Sequence, residues 1–238
     1  GGHGAKFNLV NLVTALHRVA KSGDGGSQRR GAPFLALVRG IAGSLAELQP
    51  MALANTAWSF SALQLVDQPL LHAIASSAIA KLNAAEFRAP ELASTAWAFS
   101  VLPSLNEPLL PSIAAAALRK RRHFRPQELA NTAWSFATLL VCDSPLLAAI
   151  ASSARPSIGD FTPQSRANTA WAFAKLAVPD TPLLNAISSS AIARMADAAP
   201  EEIANTAWAC ATRGLKHLPL MDSISSAAIP TLAAQASR

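Results

Sequence analysis

Five tryptophans, Trp58, Trp97, Trp134, Trp171 and Trp208, stand 39, 37, 37 and 37 residues apart. Eleven residues after each comes a proline: Pro69, Pro108, Pro145, Pro182 and Pro219. Seven or eight residues before each comes another: Pro50, Pro90, Pro126, Pro163 and Pro200. Two markers in phase define a repeat, and a unit of this length cannot bury its apolar face except against its neighbours. The single 39-residue interval reflects two extra residues between Pro69 and Phe87.

A degenerate unit lies upstream. In NLVNLVTALHRVA, Asn11, Thr14 and Leu16 occupy the positions held elsewhere by Asn, Trp and Phe, and APFLALVRGIAGSL carries Pro33 in the second proline position. Between them KSGDGGSQRR is a Gly-rich, charged loop. The start of the chain is basic and free of acids, as in a transit peptide, but its match to the repeat predicts folded protein. The first residue is Gly, as expected of a processed chain or a fragment. Six units result, at approximately 5–47, 48–87, 88–124, 125–161, 162–198 and 199–238, the first an atypical cap.

Each unit reads as two helices. The first opens with proline in its first turn, as in Thr162-Pro163-Gln164 and Arg125-Pro126-Gln127, where a missing N–H costs no hydrogen bond. The second opens after Asp143-Ser144-Pro145 or Asp180-Thr181-Pro182, a capping residue followed by proline. Nothing alternates with a period of two. The expected fold is all-α, a right-handed α-solenoid of about six helix–turn–helix repeats with a period of 37–39 residues, forming one domain over 1–238. With 51% hydrophobic and 14% charged residues the chain is not disordered. No apolar run reaches the roughly eighteen residues of a membrane span, so a soluble protein is expected. Cys142 and Cys210 make no disulfide framework; Cys210, standing where sister units have Phe, reads as a small core residue.

The phrase between the prolines recurs as LANTAWSFSAL, LASTAWAFSVL, LANTAWSFATL, RANTAWAFAKL and IANTAWACATR. Stepping about 100° per residue along it places Leu129, Ala130, Ala133, Trp134, Phe136, Ala137 and Leu140 on one arc. Gln127, Glu128, Asn131, Thr132, Ser135 and Thr138 fall opposite. Trp58, Trp97, Trp134, Trp171 and Trp208 are therefore expected to be structural, packing repeat against repeat beside the alanines. Base stacking by these rings is the competing reading, but it would draw each ring away from the arc of Leu129 and Phe136. The recurring Asn55, Asn131, Asn168 and Asn205, with Ser94 as the exception, lie on the polar face. They form either a ladder of amide hydrogen bonds between adjacent first helices or a row of groups offered to a repeating ligand such as a polynucleotide. The candidate RNA-contacting set on that face is Asn55, Ser59, Ser94, Gln127, Glu128, Asn131, Ser135, Thr138, Gln164, Asn168, Lys175, Asn205 and Thr212. An identical residue in every unit cannot discriminate bases, and many of the variable positions are small and apolar, so base discrimination should be weak.

Net charge is +6 with a pI near 10, which favours acidic partners. The dense basic run is Arg119, Lys120, Arg121, Arg122, His123, Phe124 and Arg125. It is either a solvated helix end, where cations suit the dipole, or a phosphate clamp formed by Arg119, Lys120, Arg121, Arg122 and Arg125. A second set, Arg18, Lys21, Arg29, Arg30 and Arg39, surrounds the first loop. His3, His17, His72, His123 and His217 share no metal-ligand spacing with the cysteines. No nucleophile elbow, phosphate loop or dinucleotide fingerprint occurs, and acids sit at capping positions rather than in facing pairs. The chain is expected to be non-enzymatic, with neither metal nor cofactor.

The proline-led Asn-Thr-Ala-Trp phrase, followed by Pro-Leu-Leu at this period, resembles the octotricopeptide repeat of algal and other protist organelle proteins over essentially the whole chain. The resemblance implies first helices lining an RNA-binding surface, and a role in maturation, stability or translation of organellar transcripts or on ribosomal RNA. It further implies a chloroplast or mitochondrial location. The alternative expectation is an architectural subunit of a large organellar complex, a ribosome or photosynthetic assembly, using the same surface for protein.

Overall fold

The structure is a computed structural model that describes residues 2–22, 31–102, 108–194, 199–212 and 219–226, with side chains from Leu9 onward. Arg29, Arg30 and His217, and the side chain of His3, lie outside the described residues. Among the described residues the fold is all-helical and forms an α-solenoid. The chain divides into two compact units, Gly1–Lys120 and Arg121–Arg238. The division falls inside the basic run, close to the boundary between the third and fourth repeats.

In the first unit the helices are α1 (Gly2–Lys21), α2 (Ala32–Ala42), α3 (Pro50–Ala62), α4 (Gln68–Asn83), α5 (Ala89–Val101) and α6 (Leu109–Lys120). The first helices of consecutive repeats, α1, α3 and α5, stack on one another, and α4 packs on α6 behind them. The degenerate first repeat is folded as expected: α1 packs on both α2 and α3. The approach of α2 is close, since a Cβ at Gly40 would lie 2.9 Å from Leu12 Cδ1. The second unit contains α7 (Pro126–Thr138), α8 (Ser144–Ala154), α9 (Pro163–Lys175), α10 (Thr181–Ala193) and α11 (Pro200–Thr212). Here α9 is held between α7 and α11, while α8 and α10 are joined through the 3-10 turn Arg155–Asp160.

The helix ends follow the sequence signals. Asp67, Asp143 and Asp180 accept the backbone N–H of Leu70, Leu146 and Leu183 at 2.8–3.0 Å, satisfying one orphan donor at each second-helix start, a cap worth about 1 kcal/mol. First helices use Thr162, whose hydroxyl accepts from Ser165 N–H, or a glutamate three residues in. Glu91, Glu128 and Glu202 reach back to accept the N–H of Arg88, Arg125 and Ala199. The first helices α3, α7 and α9 stop on a left-handed residue, Gln64, Leu140 and Ala177, at φ 50°, 57° and 56°. The next N–H then bonds back to Phe60, Phe136 and Phe173, the paired termination that fixes the turn into the second helix.

Each interior first helix sets a Phe into a core of Leu and Ala at the same position of the repeat. Phe60, Phe136 and Phe173 are buried, and Cys210 fills the same position in the last repeat at 2% exposure. Burial pushes the Cys210 thiol up, so it stays protonated as a small apolar filler. One core position is unexpected. Arg166 stands where the sister units have Leu53, Leu92 and Leu129, yet it is only 2% exposed. Its guanidinium donates to the Phe161 carbonyl at 2.6 Å. Desolvation, then the nearby charge of Arg194, lowers its pKa, while Glu202 opposes the shift.

His17 closes the first-helix stack of the first unit. Its ring lies 4.8 Å from that of Trp58, and its Nδ1 is buried with no hydrogen-bond partner. Burial, and secondarily Lys21, holds its pKa below 6.5. A folded-state pKa below the unfolded value means that the folded protein binds the proton less readily. Stability should therefore fall as pH drops through 6.5 and level off below the folded value. His17→Phe, which keeps an aromatic ring on Trp58, is expected to flatten this dependence in urea titrations on either side of that pH. An unchanged dependence would assign it to other groups.

Candidate nucleic-acid interface

Helix α9, packed between α7 and α11 with its own second helix α10 behind, meets solvent only along a narrow line, and a like line runs along the other first helices. In α7 that line is Gln127, Asn131, Trp134 and Thr138, all partly or fully exposed, while Leu129, Ala130, Thr132, Ala133, Ser135, Phe136 and Ala137 are buried. Steps of four, three and four residues keep these side chains on one stripe of a 3.6-residue helix. The same offsets give Gln164, Asn168, Trp171 and Lys175 in α9, and Glu201, Asn205, Trp208 and Thr212 in α11. In the first unit they give Met51, Asn55, Trp58 and Ala62 in α3, and Pro90, Ser94, Trp97 and Val101 in α5.

Three expectations from the helical projection are corrected by this packing. Ser59 and Ser135 are fully buried, and their hydroxyls donate to the carbonyls of Asn55 and Asn131. With Thr132 they belong to the small-residue seam where first helices cross, because a helix packed on a first helix beside it as well as a second helix behind it buries positions that a two-faced projection calls polar. Glu128 is engaged as the N-terminal cap of α7. The tryptophans do meet between repeats, with ring centroids 6.3 Å apart for Trp134–Trp171 and for Trp171–Trp208. They are not buried with Leu129 and Phe136, however: Trp134 and Trp171 are partly exposed and Trp208 is 43% exposed.

The asparagines resolve differently. Among the described residues no amide ladder exists: the side chains of Asn55, Asn131, Asn168 and Asn205 hydrogen-bond to no protein group. Their backbone carbonyls, at Asn55 and Asn131, are the groups that the buried serines occupy. In the second unit Asn131, Asn168 and Asn205, each three residues before an indole and each with its donors and acceptor uncommitted, leave a row of partly exposed amides.

The basic run separates into two parts. Arg119 donates to the Leu82 carbonyl at 3.1 Å, and Lys120 to the Ala85 carbonyl at 2.8 Å. Both satisfy carbonyls at the C-terminal end of α4, where cations also suit the dipole. In the second unit the 3-10 turn Arg121–His123 and Arg125 expose their side chains. Arg18, Lys21 and Arg39 of the second basic set are exposed as well.

Stacked helix–turn–helix repeats whose first helices leave amide and indole groups partly exposed define a helical-repeat protein whose first helices carry the candidate binding surface. No described helix is long and apolar enough to cross a membrane. Within that class, residues 5–236 match the family described as RNA-editing substrate-binding complex 6 protein, and the chain belongs to that family. No curated protein matches it. The match overturns the resemblance to octotricopeptide repeats. The Asn-Thr-Ala-Trp phrase supplies small residues where first helices cross, a packing requirement that does not by itself identify a family. The chloroplast and ribosomal settings rested on that resemblance and fall with it.

Proposed function

We propose that this chain is a non-enzymatic RNA-binding component of an RNA-editing substrate-binding assembly in mitochondria, and that the first-helix stripe of the second unit contacts the RNA. The observation that carries the reading is the row Asn131, Asn168 and Asn205, partly exposed and uncommitted, each three residues before a partly exposed Trp. Amides accept and donate to bases, sugars and phosphates alike, so a repeated amide suits a polymer that repeats with the protein. Net charge of +6 draws the polyanion.

Gln127, Gln164, Thr138, Lys175 and Thr212 extend the contact on either side of the Asn–Trp pair. A protein partner fits the stripe of the first unit better. Met51 is 54% exposed and Val101 41% exposed, with Ala62 and Pro90 completing an uncharged row. The test is a titration of the full chain with a short unstructured RNA at several salt concentrations. Binding that weakens with salt supports the RNA reading, whereas no binding at low salt makes the array a protein scaffold.

A further inference from the structure

We infer that Trp134, Trp171 and Trp208 form a stacking platform for consecutive unpaired nucleobases, which makes single-stranded RNA, read without strong base preference, the ligand of the second unit. The inference rests on the RNA-binding reading above and names the form of RNA that the site takes.

Three features of the ladder carry it. The rings of each neighbouring pair are inclined by 32–33° with centroids 6.3 Å apart. That is near the outer limit of about 7 Å for an aromatic pair, so the rings lean against each other without closing into a flush stack, and the space between them is a wedge. All three rings reach solvent, Trp208 at 43% exposure. A Trp serving only as filler would be covered like Phe136 and Phe173 two residues further along the same helices, both at 0%. The rungs are also closer than the axes of packed helices, which lie about 8–10 Å apart. The side chains therefore converge to a spacing that neighbouring nucleotides of one extended strand can follow.

Every base offers a π-face, so indole stacking tolerates sequence. The amide of Asn131, Asn168 or Asn205 beside each ring then supplies a hydrogen bond to the edge of the stacked nucleotide. A duplex cannot use this platform, because its bases are already stacked and its backbones would hold them away from the rings. The first unit is differently equipped: one neighbour of Trp58 is the His17 ring at 4.8 Å, a contact that belongs to the protein itself.

The experiment follows indole emission of the full chain on titration with three oligomers of equal length: single-stranded RNA, RNA duplex, and a single strand lacking its bases. The single strand is expected to quench emission and bind tightest. Trp171→Leu should weaken it about tenfold, with the salt slope unchanged because an uncharged ring neutralises no phosphate, and Trp171→Phe should retain most of the affinity. If the base-free strand binds as well as RNA, or if emission is unmoved on binding, the stacking platform is wrong while RNA binding stands. If no oligomer binds at low salt, the underlying RNA reading fails as well. The emission arm uses the unaltered chain, so it decides even if Trp171→Leu folds poorly.

Discussion

Phe173→Ala is expected to lower the stability of the second unit by about 3–5 kcal/mol, as for a fully buried aromatic ring. Phe173 is at 0% exposure in α9, which α7 and α11 flank on either side. Its carbonyl also accepts the Val178 N–H that closes the turn into α10. Removing the ring leaves a cavity between repeats, and in a stack each unit holds up the next, so α7 and α11 should lose protection together with α9. Trp171→Ala, two residues earlier, should cost less despite the larger ring, because Trp171 is partly exposed and has less buried area to lose. Urea denaturation gives the ranking and hydrogen exchange gives the spread. If Trp171→Ala proved as costly as Phe173→Ala, the indole ladder would be a structural element first and a binding surface second.

The second large effect separates the two parts of the basic run. Replacing Arg122 and Arg125 by Gln should weaken RNA binding at every sequence tested. The dependence of log affinity on log salt should also become shallower, by about 0.7 for each phosphate no longer neutralised. Both side chains are exposed in the second unit. Replacing Arg119 and Lys120 by Gln should act on stability, since their head groups satisfy the Leu82 and Ala85 carbonyls at the end of α4. That pair should melt earlier in thermal denaturation with the salt slope unchanged. A shallower slope for the Arg119/Lys120 pair would show that these cations also meet phosphate. An unchanged slope for Arg122/Arg125 would leave those side chains as a solvated helix start with no part in binding.

Much of this molecule was legible in one dimension because its order is periodic. The spacing of Trp and Pro dictated stacked two-helix units. The Asp-Ser-Pro and Thr-Pro-Gln signatures marked where helices begin, since a cap is satisfied within three residues and needs no tertiary partner. Cys210 was recognisable as core from its register with Phe. Family membership was not legible this way: the phrase suggested one repeat family, and the match over residues 5–236 assigned another.

The tertiary structure decided which side of each first helix is free. A helical projection divides residues into two faces, whereas α7 packs on α9 beside it as well as on α8 behind it, and α9 on α7, α11 and α10, so Thr132 and Ser135 are buried and Trp134 and Trp171 are not. It decided that the asparagines are uncommitted, because an amide's partners lie on neighbouring helices and no local rule fixes their distance. It also placed the Arg166 guanidinium in the interior, where the Phe161 carbonyl receives it. In sequence that arginine is only a charged residue at a leucine position, and whether such a side chain turns out to solvent or inward depends on an acceptor supplied by the preceding turn.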